Sequence, residues 1–77
     1  MNIQSKIFKI LSEELEISTE KIKLNVPYAS LENMDSMTQV SITNKIEEVM
    51  EIEFDFDDLF DIETVEDLVD IVTNKVQ

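Results

Sequence analysis

One hydroxyl in this chain stands where it could carry chemistry: Ser36, directly after Asp35 and at the head of the periodic stretch MTQVSITNKIEEVME. A hydroxyl at a helix N-terminus lies where backbone N–H groups and the positive end of the dipole favour negative charge, so it suits a residue that is to bear a phosphate ester. Read from the serine alone, a plain N-cap is the simpler account, and either Asp35 or Ser36 could fill that role. Carboxylates are the other chemistry-bearing groups. Asp55, Asp57 and Glu66 fall at the first, third and twelfth positions of a calcium loop, but Leu59 stands at the fifth and Phe60 where the sharp turn needs glycine. No specific metal site is expected there. The adjacent acids Glu47/Glu48 and Asp57/Asp58 point in different directions on a helix, with no enclosing pocket in prospect, so carboxylate catalysis is not expected either.

Composition removes most other chemistries. The 77 residues include 18 Asp and Glu against 6 Lys and no Arg, a formal charge of -12, and contain neither Cys nor His. Disulfides, thiol nucleophiles, imidazole bases and soft metal ligands are thereby excluded. A protein this acidic repels phosphate backbones and anionic membranes, so neither nucleic acid nor membrane is an expected partner; proteins with basic docking patches are. An acidic mimic of nucleic acid fits the charge but leaves the serine unexplained. The first residues lack the pattern of a secretory signal and no apolar run is long enough to span a bilayer, which points to the cytoplasm. At 43% apolar residues the chain should fold, as one domain over 1–77.

The elements that must position Ser36 follow from periodicity. Ile3, Ile7, Ile10, Leu11 and Leu15 form one helical face, predicting a first helix over 3–16. Residues 17–35 lose periodicity and contain Pro27, so a long loop is expected, with a local turn at Ser18–Glu20 and with Ile22, Leu24, Val26, Tyr28 and Leu31 pinning it to the core. The second helix runs from Asp35 or Ser36 to about Glu51. A short helical turn is expected over 56–61, with Phe54, Phe56, Leu59 and Phe60 in the core and the intervening acids solvated. Thr64 followed by acids reads as a capped start to a last helix over 64–76, whose stripe is Val65, Leu68, Val69, Val72 and Val76. The expected fold is all-α, a small four-helix bundle of three principal helices and one short one, and a monomer.

On a wheel of the second helix, Ile42, Ile46, Val49 and Met50 cluster as the packing face. Met37, Val40, Asn44, Glu47, Glu48 and Glu51 fall opposite. Two exposed apolar residues running into three carboxylates make a plausible protein-docking surface with a greasy and an acidic end.

Asp35-Ser36-Met37, followed by Val40, Ile42, Ile46, Glu47, Glu48 and Met50, an acid-rich segment, and then Thr64-Val65, resembles the acyl carrier protein family over essentially the whole chain. The resemblance implies that a phosphopantetheinyl transferase joins 4′-phosphopantetheine from coenzyme A to Ser36, with Asp35 as the motif neighbour. The terminal thiol would then hold acyl, aminoacyl or polyketide groups as thioesters, and the bundle interior would shelter some acyl chains. It further implies a carrier that catalyses nothing itself. Met37, Val40, Glu47, Glu48 and Glu51 match the family's docking positions, which meet loading ligases and synthases.

Two departures qualify this. The chain reads Leu31-Glu32-Asn33-Met34-Asp35 where many members have a Leu-Gly pair, and Asn33, which tolerates a left-handed backbone, is expected to replace the glycine. Thr38, Gln39, Ser41, Thr43 and Asn44 leave the first half of the second helix uncharged, and Lys45 follows. That pattern favours a specialised carrier with its own loading enzyme over a housekeeping fatty-acid member. The alternative reading is an acidic interaction module with a carrier-like fold that is never modified.

Overall fold

In the computed structural model, which describes residues 2–77, four helices follow one another: α1 Ile3–Leu15, α2 Ser36–Met50, α3 Phe56–Phe60 and α4 Val65–Val76. This is the expected all-α bundle, and each boundary lies within a residue of its expected place. Asn2 caps α1 by accepting from the Ser5 amide at 3.0 Å. The core is built from Ile7, Ile10, Leu11 and Leu15 of α1, Ile42, Ile46 and Met50 of α2, and Val65, Leu68, Val69 and Val72 of α4. Each such side chain contributes about 1.5–3 kcal/mol through burial.

With no glycine in the chain, both long N-terminal helices end on glutamates in the left-handed region, Glu16 and Glu51, each at φ 56°. A side chain in that conformation costs roughly 1–2 kcal/mol. The turn closes because the next amide reaches back, Ile17 to the Ser12 carbonyl at 3.1 Å and Ile52 to that of Glu47 at 3.2 Å. Ile17 is then buried and Ile52 packs against the core, which offsets the strain.

The 17–35 segment is anchored as expected. It forms 3-10 turns at Thr19–Lys21 and Tyr28–Ser30, the first capped by the Ser18 hydroxyl on the Glu20 amide. Ile22, Tyr28 and Leu31 are buried, with Leu24 and Val26 packed against them. Its backbone also completes α4. The Val65 amide donates to the Val26 carbonyl at 3.1 Å and the Glu66 amide to that of Leu24 at 3.0 Å, while Tyr28 donates to Glu63 at 2.9 Å. The Thr64 hydroxyl accepts from the Asp67 amide at 3.3 Å, and the Asp67 carboxylate accepts in return from the Glu63 and Thr64 amides at 3.0 Å each. These two amides hold the Asp67 carboxyl below the usual carboxylate range, with the Thr64 contact the larger cause.

Three expectations need correction. Val49 was expected on the packing face of α2 but is 42% exposed, at the edge of a shallow groove with Lys6, Lys9 and Lys45. The half-buried flank of α2 is instead that of Gln39, Thr43 and Glu47, where Glu47 bonds the Phe54 amide of the following segment, and Val49 lies off the buried arc. Of the aromatic cluster, only Phe54 packs on the core; Phe56 and Phe60 are each 73% exposed, and Leu59 is exposed as well. The contacts with the core come from Phe54 before α3 and Ile62 after it, and Leu59 is the residue of α3 that lines the groove. Val76, in the last turn of α4, is also exposed.

Candidate functional site

Asp35 has an extended backbone and its Oδ1 accepts from the Thr38 amide at 2.7 Å, so Asp35 is the N-cap of α2 and Ser36 the first helical residue. That settles the choice left open by the sequence. The Thr38 amide, with the Thr38 hydroxyl, holds the Asp35 carboxyl below the ordinary carboxylate range, so it is ionised at neutral pH. Ser36 is thereby released from capping. It is exposed, and its hydroxyl makes no hydrogen bond among the described residues.

The chain enters this helix through Asn33, whose φ is 69°, the left-handed conformation anticipated for it. Its side-chain amide donates to the Leu15 carbonyl at 2.8 Å, which satisfies the end of α1 and fixes where α2 begins.

Ser36 stands at the rim of a groove of about 450 Å³ between α2 and the segment that contains α3. The α2 wall presents Gln39, Val40, Thr43, Asn44 and Glu47; Tyr28, Phe54, Leu59 and Ile62 close the rest. The lining is mostly apolar. Burial pushes the Tyr28 phenol up to about 12, so it is neutral over the physiological range. Glu47 links the two walls: its Oε2 accepts from the Phe54 amide at 2.8 Å. Below it, Lys75 of α4 pairs with Asp58 at 2.8 Å and lies 3.8 Å from Asp55, which secures the short α3. This pairing, together with the Asp55 amide, holds the Asp58 carboxyl below its usual range.

The other candidate residues divide. Met37 is 82% and Val40 60% exposed near Ser36 in the first turns of α2, and Glu48 and Glu51 are exposed at its far end. Glu47 is half-buried and engaged with Phe54. The sequence reading missed the far wall of the groove. Its signal was the pinning of Tyr28 and the apolar Phe54 and Leu59, which were legible as packing residues but not as the sides of an opening.

A free hydroxyl on the first turn of a helix, beside an apolar groove, suits attachment of a long, phosphate-linked arm: the phosphate meets the positive helix end, and the groove offers shelter to what hangs from it. Sequence comparison points the same way. The family described as "Phosphopantetheine attachment site" matches residues 5–72. The acyl carrier protein of Buchnera aphidicola subsp. Schizaphis graminum is 35% identical over 74 residues, covering 96% of this chain and 94% of that protein. That of Nitratidesulfovibrio vulgaris strain DP4 is 31% identical over 75 residues, covering 97% and 99%. That of Thermosynechococcus vestitus is 28% identical over 74 residues, covering 96% and 91%.

Proposed function

Because the chain belongs to the acyl carrier protein family, whose cofactor is 4′-phosphopantetheine, we propose that Ser36 is the residue a phosphopantetheinyl transferase modifies and that 1–77 acts as one monomeric, cytoplasmic carrier domain. The observation that carries this reading is the unencumbered Ser36 hydroxyl, one residue past its Asp35 cap and at the rim of the groove. When bound, the group supplies a terminal thiol that holds acyl groups as thioesters. The chain's own residues do the rest. Asp35 fixes the first turn of α2 and so presents Ser36. Met37 and Val40 offer apolar contact to a partner enzyme, and Glu48 and Glu51 offer charge to its Lys or Arg residues. Glu47 joins them in the docking set through its remaining oxygen while bracing the groove.

Docking of this kind is steered by charge and released readily, which suits a carrier that visits successive enzymes. The protein is a substrate of those enzymes and not a catalyst. The uncharged first half of α2 supports service to a dedicated loading ligase and synthase, in fatty-acid or secondary-metabolite biosynthesis, over housekeeping duty. Fragmentation mass spectrometry of peptides from transferase-treated protein tests the site. The expected result places the added group on the peptide residue Ser36; assignment to another hydroxyl would overturn it.

A further inference from the structure

Phe56 and Phe60 are the most exposed aromatic residues, and the bundle does not use them. They are one turn apart on α3, with ring centroids 4.9 Å apart and planes at 85°, an edge-to-face pair whose two rings are both largely exposed. Asp57 and Asp61 form a second row one residue further on, since Asp61 continues the helical backbone at φ -85°, ψ -5°. Both acids are exposed, and neither is ion-paired among the described residues, in contrast to Asp55 and Asp58, which face Lys75. An aromatic row beside a carboxylate row is therefore held on a helix that is itself braced by a capping box and a lysine.

We propose that this ridge of α3 is a docking surface for an arginine side chain on a partner protein. A guanidinium lies flat on a phenyl ring and directs its N–H fork sideways to a carboxylate, which is the combination that Phe56/Phe60 and Asp57/Asp61 offer. Lysine fits less well, being a strongly hydrated point charge without a stacking plane. The net charge of -12 attracts a basic surface, the exposed Asp57 and Asp61 carboxylates offer it a local partner, and the rings then select among cations. Leu59 of the same helix turns the other way, into the groove rimmed by Ser36, so a partner gripping the ridge sits beside the groove. The inference rests on the carrier reading only in taking the arginine to belong to a partner enzyme.

The test uses the unmodified full chain, so it is independent of loading at Ser36. An arginine-bearing helical peptide and its lysine counterpart, equal in length and charge, are titrated into isotope-labelled protein and followed by amide shifts. The arginine peptide is expected to bind about fivefold tighter, with shifts centred on Phe56, Asp57, Phe60 and Asp61. Phe56→Leu with Phe60→Leu, which keeps the helix apolar, should erase that preference while leaving lysine-peptide affinity unchanged. Equal affinity for the two peptides, shifts confined to α2, or an unaltered preference in the double variant would each overturn the proposal.

Discussion

Asn33 and Leu15, 18 positions apart, are joined by a 2.8 Å hydrogen bond from the Asn33 side-chain amide to the Leu15 carbonyl. One residue thus performs two tasks: it adopts the left-handed backbone that turns the chain toward Asp35, and it closes the end of α1. Asn33→Ala removes the hydrogen bond and leaves a Cβ in a strained conformation, so it should cost about 2 kcal/mol. Asn33→Gly relieves the strain and loses only the bond, costing about 1 kcal/mol or less. Urea denaturation measures both; equal losses would show that the backbone conformation is not the issue.

Glu47 and Glu48 are neighbours with different work. Glu47→Ala deprives the Phe54 amide of its acceptor and should raise hydrogen exchange there by about tenfold, whereas Glu48→Ala should leave it unchanged. Glu48→Lys should instead slow transferase loading by several-fold at low salt, with the deficit shrinking as salt is added, and should keep the helix content. Loading insensitive to Glu48→Lys would remove that residue from the docking surface.

Tyr28 is the only tyrosine and the chain has no tryptophan, so phenolate absorbance reports it alone. Its ionisation midpoint is expected near 12 in the folded protein and about 10 in denaturant. Because burial raises the folded value, the stabilisation it represents is complete below the unfolded midpoint and is lost as pH rises through the folded one. A folded midpoint near 10 would mean that the ring is not sheltered beneath the groove.

Asp67 gives the opposite slope. Its folded carboxyl is held low by the Thr64 and Glu63 amides, so its contribution is present above the ordinary carboxylate range and is lost as pH falls through its folded value. The stability gap between the wild type and Asp67→Ala should therefore be full at neutral pH and close progressively in acid. A gap independent of pH would indicate that the ionised carboxylate is not what caps α4.

Much of this was legible in the sequence because it is periodic and local. The stripe Ile7, Ile10, Leu11, Leu15 and the Thr64 cap follow from residue type and spacing, whereas the left-handed Asn33 and the choice of Ser36 come with the family resemblance, since by itself Ser36 reads as a plain N-cap. What was hidden depends on long-range packing. A helical wheel treats both flanks of α2 alike, yet the Glu47 to Phe54 link covers one flank and leaves Val49 on the other. Phe54, Phe56 and Phe60 are the same residue type within seven positions, and Phe54 packs because it precedes α3 and its amide is tied to Glu47, while the other two lie on the helix. The completion of α4 by carbonyls of Leu24 and Val26 has no sequence signature, since it uses backbone atoms alone.

The central claim is that Ser36 bears the prosthetic arm. Intact-mass spectrometry of the wild type and Ser36→Ala, each incubated with coenzyme A, magnesium and a broad-specificity phosphopantetheinyl transferase, tests it directly. A single phosphopantetheine addition on the wild type and none on an equally folded Ser36→Ala is the predicted result. Addition to Ser36→Ala would contradict the site, and a folded wild type that no transferase modifies would contradict the carrier function and leave an unmodified docking module.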